Sequence, residues 1–88
     1  MVVEFLSGFS RDIDKINQKS IKEKITKVIL NIEQAKALSE ITGVKKLAGH
    51  KSAYRIRIGD YRLGVFFEAG IIQFARVAHR KDIYKMFP

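Results

Sequence analysis

Arg55, Arg57 and Arg62 stand in two apolar runs, AYRIRI and YRLGVFF, that contain no carboxylate. Alternate residues of a β-strand point to one face, so Arg55 and Arg57 share a side. Gly59-Asp60 between the runs is a two-residue hairpin signal. It sets Ile58 opposite Tyr61, Arg57 opposite Arg62, Ile56 opposite Leu63 and Arg55 opposite Gly64. Directly paired residues share a face, and like charges placed so destabilise a sheet. A face selected only for solubility would mix signs. A rigid array of guanidinium forks suits a polyanion, and it suits chemistry on a phosphate, where arginine binds paired oxygens and offsets developing charge. Gly64 either leaves room for a phosphate or ribose to approach the backbone or marks a strand twist or bulge. Glu68-Ala69-Gly70 reads as a three-residue turn, and counting through it sets Arg76 beside Arg62.

The charge distribution agrees with a cationic surface built into the fold. The chain has 88 residues and a net charge of +8. Residues 1–43 carry seven lysines and arginines against six acids, and residues 44–88 carry ten against three. The expected partners are therefore nucleic acid, an acidic protein, or both in turn. Nearly half of the residues are apolar, as in a globular chain. Cysteine is absent, which excludes disulfides and thiolate metal sites and fits a reducing compartment. No apolar run approaches the roughly 20 residues of a membrane span, and no signal-peptide pattern opens the chain. A cytoplasmic protein with no membrane partner is the expectation.

The elements that position the arginines can be read in order. Met1–Leu6 is a short β-branched and aromatic strand, broken at Gly8. Ser10 is placed to cap a first helix, with Asp12 and Asp14 near its start and Phe9, Ile13 and Ile16 as its apolar positions. Ser20-Ile21-Lys22-Glu23 has the form of a capping box. Ile21, Ile25, Val28, Ile29 and Ile32 then form one helical stripe. Lys22, Lys24 and Lys27 lie off it as a solvated face. Residues 35–43 read as a short helix ending at Gly43, and Val44–Leu47 as a short strand before the Gly49-His50-Lys51-Ser52 loop. Ala53–Ile58, Tyr61–Phe67 and Ile71–Ala78 follow as strands, and HRKDIYKMFP closes the chain as a turn or short helix. The expectation is one domain over residues 1–88. Its class is α+β, with two N-terminal helices packed on a mostly antiparallel twisted sheet in the order β-α-α-β-β-β-β.

At this point the residues resemble a family. The run KKLAGHKSAYRIRIGDYRLGVFF, with ARVAHRKDIY after it, resembles the RelE branch of the RelE/ParE toxins of bacterial and archaeal toxin–antitoxin systems. The opening VEFLSGFSRDIDKI is similar to that family's first strand and helix, so the likeness covers nearly the whole chain. Its most specific pieces are K-L-x-G, Y-R-I-R-x-G-D-Y-R and H-R-x-D-I-Y. The middle piece is shared with ParE-like members and marks the superfamily, while the last is closer to RelE.

The resemblance implies a RelE-like fold and a metal-independent, ribosome-dependent endoribonuclease without a cofactor. Such toxins cut the mRNA codon in the A site of a 70S-type ribosome by attack of the ribose 2′-OH on the adjacent phosphate. The implied functional positions are Arg55 and Arg57, Arg62, Arg80 and Tyr84. In that reaction Arg57 and Arg62 would hold the phosphate, Arg80 would serve the leaving-group side, and Tyr84 would stack on or hydrogen-bond the displaced nucleotide. Arginine does not readily act as a base, which makes His79, beside Arg80, the candidate general base. His50, Lys45, Lys46, Lys51, Lys81 and Lys85 read as RNA contacts, together with Arg55 and Arg76. Two histidines at this spacing without a carboxylate motif do not form a metal site. The implied partner is a cognate antitoxin with an acidic, amphipathic segment laid over the basic groove. Two other readings stay open: a ParE-like inhibitor of DNA gyrase, and a non-catalytic basic module that binds RNA or protein.

Overall fold

Alternation of Ile56, Ile58 and Leu63 with Arg55, Arg57 and Arg62 folds the second half of the chain into an antiparallel meander. The computed structural model describes residues 1–88. The elements run β1 (Val2–Phe5), α1 (Ser7–Asp14), α2 (Lys19–Gln34), β2 (Val44–Lys46), β3 (Ala53–Ile58), β4 (Tyr61–Glu68), β5 (Ile71–His79) and α3 (Ile83–Met86), with a 3₁₀ turn at Leu38–Glu40. The five strands form one sheet in the order β1-β5-β4-β3-β2. Only β1 pairs in parallel, with β5; every other pairing is antiparallel. This is the α+β architecture expected from the sequence, with the closing turn or short helix formed as α3. No helix is long and apolar enough to cross a membrane.

The main core lies between one face of the sheet and the first two helices. Ile56, Leu63, Val65, Ile72 and Phe74 are fully buried there against Phe9 of α1 and Ile25 and Ile32 of α2. Ile21, Val28 and Ile29 complete the α2 stripe at its half-buried margin. Both helices start differently from their cap signals. α1 begins at Ser7 behind Leu6, so Asp12 and Asp14 fall in its second half. α2 begins at Lys19 behind Gln18, which puts Ser20 and Glu23 inside the helix, and the capping box does not form. Tertiary burial of an apolar stripe outweighs a single exposed cap in setting a helix boundary.

A second, smaller core occupies the opposite face of the sheet. Ile83 and Phe87 pack there on Leu47, Ala53 and Ala75. The arginine-bearing face is therefore partly roofed by the C-terminal segment instead of being wholly wet.

The β3–β4 register is the one derived from Gly59-Asp60, with Arg57 opposite Arg62 and Arg55 opposite Gly64. The β4–β5 register is not as expected. Glu68 pairs with Ile71, so the turn has two residues, Ala69 and Gly70, with φ of 52° and 77°. A positive φ at both positions matches a type I′ turn. A bulge between Gly64 and Val65 then leaves Ala75 extra. Together they put Ala78 opposite Arg62 and move Arg76 opposite Gly64.

Candidate functional site

Arg55, Arg57 and Arg62 line one concavity of about 370 Å³ together with Gly43, Val44, Lys45 and Tyr84. No carboxylate takes part. β3 supplies Arg55 and Arg57, β4 supplies Arg62, β2 supplies Lys45, and α3 brings Tyr84 over the rim. Lys45 stands directly opposite Arg55. The only salt bridge in the molecule, between Arg76 and Asp12, involves none of these cations.

Each guanidinium is held differently. Arg62 folds back on the hairpin turn, where Nη1 donates to the carbonyls of Gly59 and Tyr61 at 2.9 and 3.0 Å. Its Nε and Nη2 remain free to donate. Arg57 is exposed, and its side chain makes no hydrogen bond within the chain. The Arg55 Cζ lies 4.4 Å from the centroid of the Tyr84 ring, a cation–π contact. Arg55 Nη2 donates to the Phe87 carbonyl at 3.3 Å, while its buried Nε has no partner. Arg55 thus ties the C-terminal helix to the sheet and keeps one face of an otherwise exposed Tyr84 ring occupied.

Sequence reasoning missed the residues that hold this helix in place. Phe87 is 2 % exposed, and its ring tilts on Phe66 at 5.0 Å. It also sits over Gly64, where an added Cβ would lie 2.4 Å from the ring. The space left by Gly64 is thus filled by the chain's own phenylalanine and is not open to a phosphate or ribose. The available signal was the apolar pair Ile83 and Phe87, four residues apart on one helical face.

Other expected site residues lie elsewhere. His79 pairs with Tyr61 and meets its ring edge-on at 5.8 Å, on the helix-covered side of the sheet. Arg62 and its partner Ala78 face the other way. His79 is therefore corrected as the candidate base: the sheet separates it from the arginines, and its Nδ1 accepts from the Lys81 N–H at 3.2 Å. Arg76 is corrected as a free cation for RNA. It donates to both Asp12 carboxylate oxygens at 2.7 and 3.1 Å. Lys46 pairs with Tyr54 on the opposite face from Lys45. His50 and Lys51 are exposed in the loop after β2, and Lys81 and Lys85 are exposed around α3. None of these four lines the concavity. Arg80 leaves β5 with its N–H on the Asp60 carbonyl at 2.7 Å, and its exposed side chain does not line the concavity either.

Comparison with known proteins matches the same elements. The family model described as the ParE toxin of the type II toxin–antitoxin system parDE covers residues 3–84. Toxin RelE3 of Methanocaldococcus jannaschii is 35 % identical over the full length of both chains. The RelB–RelE antitoxin–toxin complex of Methanococcus jannaschii contains a chain that superposes with a TM-score of 0.83 at 33 % identity, over 97 % of this chain and 99 % of that one. YafQ of E. coli strain BL21(DE3) shares the fold at a TM-score of 0.73 and 16 % identity, over 93 % and 96 % of the two chains.

Proposed function

The chain belongs to the RelE/ParE family of type II toxins, and we propose that it cuts mRNA on the ribosome. The observation that carries this reading is the concavity where three arginines, a lysine and a tyrosine converge without a carboxylate. A phosphodiester backbone supplies the missing negative charge, and an exposed tyrosine offers a surface on which a splayed base can stack.

The reaction asks little covalent chemistry of the protein. The ribose 2′-oxygen attacks the neighbouring phosphorus, the P–O5′ bond breaks, and the products are a 2′,3′-cyclic phosphate and a 5′-OH. Catalysis then rests on orientation and on stabilising the charged phosphorane. Arg57 and the free edge of Arg62 are the groups to hold its oxygens. Arg80, unpaired beside the hairpin turn, would reach toward the leaving oxygen once RNA is seated. Binding to a 70S-type ribosome in the cytoplasm would order the mRNA over the concavity. The similarity to a toxin solved with RelB supports a cognate antitoxin as partner. An acidic amphipathic segment would neutralise the same surface.

Induction followed by primer extension tests this. The expected result is cuts inside translated codons, with Arg62→Ala slowing cleavage about a hundredfold, the usual loss for one preorganised donor to a developing oxyanion. Arg57→Ala and Tyr84→Ala should relieve growth arrest as well. Full toxicity in all three folded variants would end the assignment. The matching family model is named for ParE, so a supercoiling assay runs alongside. Gyrase inhibition without mRNA cuts would replace the reading.

A further inference from the structure

The cleavage just described needs a group to take the 2′-OH proton, and we infer that Lys45 is that general base. The inference rests on the nuclease reading. Arg55, Arg57 and Arg62 do not give up their protons at usable pH. His79 is on the other side of the sheet and His50 is in a loop off the concavity. No carboxylate lines the concavity. Lys45 and Tyr84 remain as titratable groups. Tyr84 is 73 % exposed on a four-residue helix, with one ring face against Arg55.

Lys45 stands on firmer ground. The turn and loop at the two ends of β2 are tied to β3. The Arg57 N–H donates to the Gly43 carbonyl at 3.0 Å, and the Leu47 N–H to the Ala53 carbonyl at 2.9 Å. Register then fixes Lys45 opposite Arg55, on the face of the phosphate ligands, while Lys46 turns away. A catalytic group on a pinned strand is held more precisely than one on a loop.

The proton balance closes without a further reactant. The neutral Nζ takes the proton from O2′ as the O2′–P bond forms. The P–O5′ bond breaks, and the departing 5′-oxygen takes a proton from water. The Lys45 ammonium returns its proton to solvent.

Lysine also guards exposed sheet edges, and β2 is an edge strand. Arginine guards an edge equally well and keeps the charge, but it is no base. Lys45→Arg therefore separates the roles. The experiment is single-turnover cleavage of mRNA in programmed ribosomes by the purified chain. Lys45→Arg and Lys45→Ala are compared with Lys27→Gln, which removes an exposed charge on α2. Co-sedimentation with ribosomes and thermal melts check binding and folding. Cleavage by Lys45→Arg should fall about a hundredfold or more, as expected for loss of a general base, with ribosome binding nearly unchanged. Its rate should also lack the rise with pH that a lysine base would give the unsubstituted chain. Lys27→Gln should behave as the unsubstituted chain. A Lys45→Arg rate within about twofold of the unsubstituted one overturns the assignment, because general-base catalysis is worth far more than that. If the unsubstituted chain makes no cut, the nuclease reading fails first and Lys45 as base fails with it.

Discussion

Gly64→Ala is expected to evict the C-terminal segment from the sheet. The added methyl would stand 2.4, 2.6 and 2.8 Å from three atoms of the Phe87 ring, and real Cβ atoms essentially never approach that closely. The ring has no room to retreat, being 2 % exposed and packed on Phe66. Losing a buried phenylalanine from a core costs about 3–5 kcal/mol, and freeing the last residues returns part of that as backbone entropy. A net loss of about 2–3 kcal/mol follows, read as a lower denaturant midpoint. The functional consequence exceeds the thermodynamic one, because Tyr84 and the Phe87 carbonyl leave Arg55 together. Hydrogen exchange should show residues 83–87 released, and cleavage should fall as far as in Tyr84→Ala. Phe87→Ala provides the decisive cycle. It removes the obstacle, so adding Gly64→Ala to it should cost little, an interaction as large as the single-variant effect. A Gly64→Ala protein with unchanged stability and a protected C-terminus would refute the packing account.

How far the sequence could be read depends on whether a signal is local. Gly59-Asp60 sets the β3–β4 register through two residues, and every pairing counted from it is present. The Ile21 to Ile32 stripe likewise needs only helical periodicity. β5 resisted because two departures add up. Ala69 takes a positive φ that an alanine does not advertise, and the bulge beside Gly64, one of the two readings that glycine allowed, puts its extra residue, Ala75, on the partner strand. Each departure is one residue, so together they slide Arg76 by two places, from opposite Arg62 to opposite Gly64, without turning it to the other face. The contact of Phe87 with Gly64 joins parts of the chain 23 positions apart and carries no periodic trace. The arginine cluster was legible because it lies on the hairpin, whereas its roof was not.

Asp12→Ala should produce the other large loss, and its pH dependence identifies the cause. α1 runs along β5 beyond the last residue paired with β1, and there the Asp12 carboxylate replaces a neighbouring strand. It accepts from Arg76 Nε at 2.7 Å, from Arg76 Nη2 at 3.1 Å and from the Val77 N–H at 3.0 Å, with 6 % exposure. Burial pushes the carboxyl pKa up, but the Arg76 hydrogen bond, the Val77 N–H and the charges of Arg76 and Lys15 together hold it below 3.8. A carboxylate whose folded pKa is depressed contributes stability that is present above its unfolded pKa. That stability is lost as pH falls through the folded value. Asp12→Ala leaves the Val77 N–H unpaired and Arg76 without its acid. Arg76 is about one-third exposed and regains water. The expected cost at neutral pH is about 2–3 kcal/mol, below that of a fully buried pair. For a domain of this size the melting temperature would fall by about 10–20 °C. Asp12→Asn keeps the shape and an acceptor for Val77 but not the charge, so it should lose less. Its deficit against the unsubstituted protein should shrink as pH falls below about 4, because the unfolded chain there binds a proton that the native carboxylate resists. A deficit constant down to acid pH would assign the loss to packing and remove the charge from the explanation. Either variant also frees Arg76 beside Gly8, where an acid now neutralises it, so binding to a polyanion should strengthen slightly even as the fold weakens.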